Sequence, residues 1–179
     1  RASASYIKTF HSFGAWLLRR YPETAGVSPR FTVYDDDDST KLLSHARPEL
    51  TRLEATRYAH KIALAKDYCL APDSPELACK TNEYAPEFPA IYRAYQTRLR
   101  ESGNVDFGDL IMLPVTLLAE NDAVRDRLRR QFRAVMVDEY QDANVAQFKL
   151  LRQLAGDETY VCAVGDADQS IYRFRGAEV

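Results

Sequence analysis

The stretch Val135-Met136-Val137-Asp138-Glu139-Tyr140-Gln141-Asp142 runs three apolar residues straight into two adjacent carboxylates, then a tyrosine, a glutamine and a third carboxylate. An apolar run of this kind predicts a buried strand of a parallel sheet. Acids placed where such a strand ends sit at the rim where α/β proteins bind ligands. Asp138 and Glu139 are neighbours on what reads as extended backbone, so their side chains point in different directions. One can hold a metal while the other reaches a water. Nucleotide hydrolysis needs that division, with Mg²⁺ on the phosphates and an oriented nucleophile.

A second edge of the same kind follows. Thr159-Tyr160-Val161-Cys162-Ala163-Val164 is apolar and β-branched, and it ends in Gly165-Asp166-Ala167-Asp168-Gln169. Between the two runs lies a helix signal. Asn144 with Gln147 three residues on is an Asx variant of the capping box. Val145, Phe148, Leu151 and Leu154 follow at helical spacing, with Gly156 as the stop. Asp142 reads as a further helix cap. Strand, helix, strand makes a βαβ unit, so both acidic loops open at the same end of the sheet.

Upstream, Thr9-Phe10-His11-Ser12-Phe13 opens a helix with Phe13, Trp16, Leu17 and Tyr21 on one face, and Pro22 stops it. Residues 31–34 are β-prone. The four aspartates at 35–38 neither alternate nor carry a glycine, as a calcium loop would, and read as a solvated turn capping the next helix. From about residue 41 to 102 the pattern is helical. Leu50, Leu53, Ile62, Ala65 and Cys69 mark one long helix, and Pro72 and Pro75 bound a loop. Phe88, Ile91, Tyr92, Tyr95 and Leu99 form a core-facing stripe closed by Ser102-Gly103. This block interrupts the α/β pattern as an inserted subdomain would. Asp106-Phe107-Gly108-Asp109-Leu110 then begins an apolar helix capped by Asp106, in which Pro114 implies a kink or break. A basic helix (Val124, Leu128) leads into the strand.

The chain has 179 residues, 46% hydrophobic and 28% charged, which suits one or two globular domains. No apolar run approaches membrane-spanning length. Cys69, Cys79 and Cys162 form no spaced pair, and they read as thiols of a reducing, cytoplasmic compartment. His11, His45 and His60 have no metal-ligand spacing with them. A net charge of −2 gives no bulk signal for nucleic acid. The chain starts without Met and ends just past the second acidic loop, so an excised fragment is expected. The strand-end carboxylates ask for a phosphate-binding loop, G-x-x-x-x-G-K-[ST], and the sequence contains none. Lys80-Thr81 follows a glycine-free segment and is a decoy.

D-E-Y-Q-D at 138–142, followed by V-G-D-A-D-Q-S-I-Y-R-F-R-G-A at 164–177, resembles motifs II and III of the UvrD/Rep/PcrA-like superfamily 1 DNA helicases. T-F-H-S-F at 9–13 is similar to that family's motif Ib, and D-F-G-D-L at 106–110 to its D-F-x-D-L segment. The resemblance covers nearly the whole chain in order and spacing. It implies an α/β fold: part of a RecA-like P-loop NTPase parallel sheet carrying an inserted all-helical subdomain. Residues 1–34 and 105–179 would be two segments of the motor domain and 35–104 the insertion.

The resemblance also implies roles. Asp138 would hold Mg²⁺, and Glu139 would be the general base on the attacking water. Gln169 would sense the γ-phosphate of ATP. Tyr172 and Phe174 would stack on DNA bases, with Arg175 coupling nucleotide state to DNA contact. Thr9 and His11 would lie near the DNA backbone. The family often has Trp where this chain has Phe174, which still offers a π-face but a smaller one. The expected partners are single-stranded DNA and duplex junctions, with no membrane. A helicase–nuclease subunit of the RecB or AddA kind, and a non-catalytic DNA-binding module with a degenerate ATPase site, are the alternatives.

Overall fold

Thr9 starts the first helix, α1 (Phe10–Arg20), its hydroxyl accepting from the Ser12 N–H at 3.2 Å. The structure, a computed structural model, describes residues 6–166. Pro22 ends α1 but also opens the short α2 (Pro22–Ala25), where a proline at the first position costs no hydrogen bond. Leu17 and Leu18 are fully buried, and Phe13, Trp16 and Tyr21 pack at the margin of the core that Leu17 enters.

The middle of the chain folds around a core of its own. Helices α3 (Asp36–Ala46), α4 (Arg52–Asp67), α5 (Leu77–Thr81) and α6 (Phe88–Glu101) supply the buried cluster from Leu42 to Leu99. The aspartate run does as expected: Asp35 caps α3 through the Asp38 N–H at 2.8 Å, and the other acids occupy its first turn. All five residues of the α6 stripe are buried. Tyr58, Phe88 and Tyr92 stack in sequence, with centroids 5.8 and 6.4 Å apart. The expectation of one long helix from Leu50 needs correction. Thr51 and Glu54 form a capping box that starts α4 later, and Leu53 is 80% exposed. A strong local cap outweighs a loose apolar period.

Two short strands close this block at its base. β1 (Val33–Tyr34) and β2 (Val105–Asp106) pair in parallel, Val33 against Val105. Chain entry and exit therefore lie side by side.

Helix α7 (Asp109–Glu120) continues through Pro114 without a break. Proline removes the donor to the carbonyl four residues earlier, that of Leu110. A Cβ added at Gly14 would lie 1.7 Å from that oxygen, so α1 crosses α7 with glycine against the freed carbonyl. After α8 (Asp122–Gln131), β3 (Ala134–Val137) and β4 (Tyr160–Ala163) pair in parallel, joined through α9 (Val145–Leu154). The predicted βαβ unit is present.

Three expectations about this unit are overturned. The strands are not buried: of their residues only Val137 is, and Met136 is 76% exposed. The apolar run records what the strand needs to bury, and the described residues do not supply both covering layers. The inward face of α9 is Ala146, Leu150 and Leu154 rather than the stripe through Phe148, which is exposed. The capping box of Asn144 and Gln147 is formed, so Asn144, not Asp142, caps the helix.

Candidate active site

The strand ends of β3 and β4 are stitched together. The Val164 N–H donates to the Val137 carbonyl at 2.8 Å, and the Tyr140 N–H donates to the Val164 carbonyl at 2.9 Å. Asp138 and Glu139 lie at this rim, both exposed. They do not share an extended backbone. Glu139 has φ 51° and ψ 41°, the left-handed region, and turns the chain from strand into a 3-10 turn at Tyr140–Asp142. A non-glycine residue there costs roughly 1–2 kcal/mol, and such strain concentrates at functional sites. One Asp138 oxygen accepts the Glu139 N–H at 3.0 Å.

Gln141 is the buried member of this group, at 6% exposure. Its amide nitrogen donates to a Glu139 carboxylate oxygen at 2.6 Å, and its amide oxygen accepts the Asp166 N–H at 3.0 Å. Gly165 leaves the room, since a Cβ there would lie 2.6 Å from the Gln141 oxygen. The side chain thus bridges the two acidic loops. No periodic signal marks it, because its partner is 25 residues away.

The residues fit a magnesium–nucleotide site in part. Among the described residues no cluster of three metal-ligating side chains exists. Magnesium on a nucleotide draws its ligands from phosphates and water with one or two carboxylates, and Asp138 offers one exposed carboxylate at the rim.

The D-F-G-D-L segment holds a network that sequence reasoning missed. Lys66 of α4, 1% exposed, donates to Asp106 at 2.6 Å and to Asp109 at 2.8 Å. Tyr95 of α6 donates to the same Asp106 oxygen at 2.8 Å, and Gln96 donates to Asp109. Asp106 also accepts the Asp109 N–H at 2.8 Å, the capping role expected of it. Gly108 is where the Lys66 stem passes: a Cβ there would meet the Lys66 Cβ at 2.6 Å. Burial and the neighbouring Asp106 push the Asp109 carboxyl above the ordinary carboxylate range, against the pull of Lys66.

Thr9 and His11 come together at the start of α1. His11 meets the exposed Phe107 ring edge-on, at 5.7 Å between centroids, and burial lowers its pKa. Gln169, Tyr172, Phe174 and Arg175 lie outside the described residues.

A family model for the UvrD/REP helicase N-terminal domain matches residues 1–179. The chain belongs to the UvrD/Rep helicase family. ATP-dependent DNA helicase UvrD1 of Mycobacterium tuberculosis is 37% identical over 194 residues, covering 100% of this chain. ATP-dependent DNA helicase PcrA of Leuconostoc citreum is 36% identical over 179 residues, and ATP-dependent DNA helicase Rep of Escherichia coli 34% over 173, covering 97% and 96% of the chain. The chain spans about a quarter of the length of these relatives, from 24% to 26%. Against the UvrD/Rep family pattern, the described residues bring D-E-Y-Q-D beside the start of V-G-D-A-D-Q, and T-F-H-S-F beside D-F-G-D-L. No described helix is long and apolar enough to cross a membrane.

Proposed function

We propose that this chain is part of the ATP-driven motor of a DNA helicase that moves along single-stranded DNA and opens duplex. In this reading residues 1–34 and 105–179 belong to a RecA-like domain and 35–104 are a helical insertion. The separate core of the helical block and the pairing of β1 with β2 at its base support that division. The observation that carries the reading is the rim of β3 and β4, where a strained Glu139 and an exposed Asp138 stand beside the loop that leads to Gln169.

Asp138 would hold Mg²⁺, which when bound neutralises charge on the ATP phosphates. Glu139 would accept a proton from the attacking water. Gln169 would contact the γ-phosphate, and Arg175 would join that contact to DNA. Tyr172 and Phe174 would stack on bases, which gives grip without sequence preference. Thr9 and His11 would approach the DNA backbone. Movement along a strand needs such sequence-blind contacts, with sensing and stacking close together in the chain.

The test is strand displacement by the helicase-length protein carrying this chain. The reading expects ATP- and Mg²⁺-dependent release of a labelled strand, and ATP hydrolysis stimulated by single-stranded DNA. A protein that binds DNA with no nucleotide hydrolysis under any DNA condition would overturn it.

A further inference from the structure

We propose that Gln141 is a positioning residue for ATP hydrolysis, aiming the Glu139 carboxylate and tying it to the loop that follows β4. The inference rests on the reading of Glu139 as the base. Three observations carry it. The Gln141 amide nitrogen donates to Glu139 at 2.6 Å, the end of the side chain that an active base must keep oriented. The amide oxygen accepts the Asp166 N–H, so the same side chain is fixed to the segment that follows β4, three residues before Gln169 in the sequence. Gly165 leaves no Cβ where the amide lies. An exposed carboxylate on a strained backbone would otherwise sample several rotamers. A buried amide bonded at both ends restricts that freedom and couples Glu139 to the segment after β4. Displacement of that loop would therefore withdraw the base from its working orientation.

The variants separate the two arms of the amide. Gln141→Glu keeps an acceptor for Asp166 and removes the donor to Glu139. Gln141→Ala removes both. Gly165→Ala leaves both groups in place but pushes the amide. In the helicase-length protein each should lower kcat for ATP hydrolysis, by on the order of 10²-fold for Gln141→Ala, with KM for ATP and binding of a fluorescent ATP analogue nearly unchanged. In a Glu139→Gln background, Gln141→Ala should lower the residual rate no further, because it acts through Glu139. A second readout needs no activity. In the 179-residue chain the Gln141 side-chain NMR signals should shift on Glu139→Ala, and Asp166 amide exchange should speed up in Gln141→Ala.

Wild-type kcat in Gln141→Ala and Gln141→Glu, alongside an inactive Glu139→Gln, would overturn the positioning role and leave the base intact. So would an equal further loss of rate in the Glu139→Gln background. Undiminished turnover in Glu139→Gln would instead remove the reading on which the proposal rests.

Discussion

Gly14 and Phe174 each isolate one force. Gly14 lies inside α1, where alanine is ordinarily better by roughly 0.5–1 kcal/mol. A Cβ there would sit 1.7 Å from the Leu110 carbonyl oxygen, which is backbone and cannot rotate away. The clash exceeds the propensity gain. Gly14→Ala should destabilise the chain by about 1–3 kcal/mol, the usual cost of forced overpacking, read as a lower urea midpoint. Equal or raised stability would mean α1 and α7 do not meet there. Phe174 is argued from its place in Q-S-I-Y-R-F-R-G-A, between two arginines. In the helicase-length protein Phe174→Ala should weaken single-stranded DNA binding by on the order of 1–3 kcal/mol, with Phe174→Trp holding or improving it. Fluorescence anisotropy beside thermal melting separates the two roles. If Phe174→Leu restored both stability and DNA binding lost in Phe174→Ala, the ring would be packing.

At the scale of elements, Lys66 ties α4 to β2 and α7, with α6 joining through Tyr95 and Gln96. Two carboxylates share one ammonium, out of water. Lys66→Met leaves both acids buried without their cation and should cost about 3–5 kcal/mol, as broken buried pairs do. The raised pKa of Asp109 fixes the sign of the pH effect. Its folded state holds the proton more tightly than the unfolded chain, so the stability it contributes is fully present below the ordinary carboxylate pKa. That contribution is lost as pH rises through the raised value. Asp109→Asn cannot ionise. The stability of the variant minus that of wild type should therefore grow as pH rises from about 4 to about 8 in urea titrations. A difference that shrinks with pH would mean Asp109 is favoured as the anion.

Elements were legible in the sequence where local rules agreed. The α6 stripe, the Asp35 and Asn144 caps and the strand–helix–strand order all follow from spacing within a turn or two. Pro114 does not break α7, and the carbonyl it frees is approached by Gly14, a contact about a hundred residues distant in the chain that leaves no local signal. Lys66 was unreadable for the same reason: its partners are 40 and 43 residues away and leave no period. The left-handed turn at Glu139 has no glycine or asparagine to mark it. At the rim, the two carboxylates were legible as residue types. The amide that bridges Glu139 to the neighbouring loop was not.

At the scale of the whole chain, the parts for catalysis are unevenly present. On the proposed function the rim would supply Asp138 and Glu139, but the sequence carries no G-x-x-x-x-G-K-[ST] loop to cradle phosphates. The 179-residue chain by itself should show no Mg²⁺-dependent, DNA-stimulated ATP hydrolysis above its own Glu139→Ala control. Activity well above that control would show that the phosphates are held by residues not identified here as their ligands. On the proposed function the rim of β3 and β4 hydrolyses ATP with Glu139 as the base. The most direct test is single-turnover hydrolysis and ATP binding in the helicase-length protein bearing Glu139→Gln, with Asp138→Ala in parallel. The amide keeps the shape of Glu139 but cannot take a proton from water, so turnover should fall by on the order of 10²–10⁴-fold, with ATP binding largely kept. Asp138→Ala should weaken Mg²⁺–nucleotide binding itself. Near-normal turnover in Glu139→Gln would contradict the account.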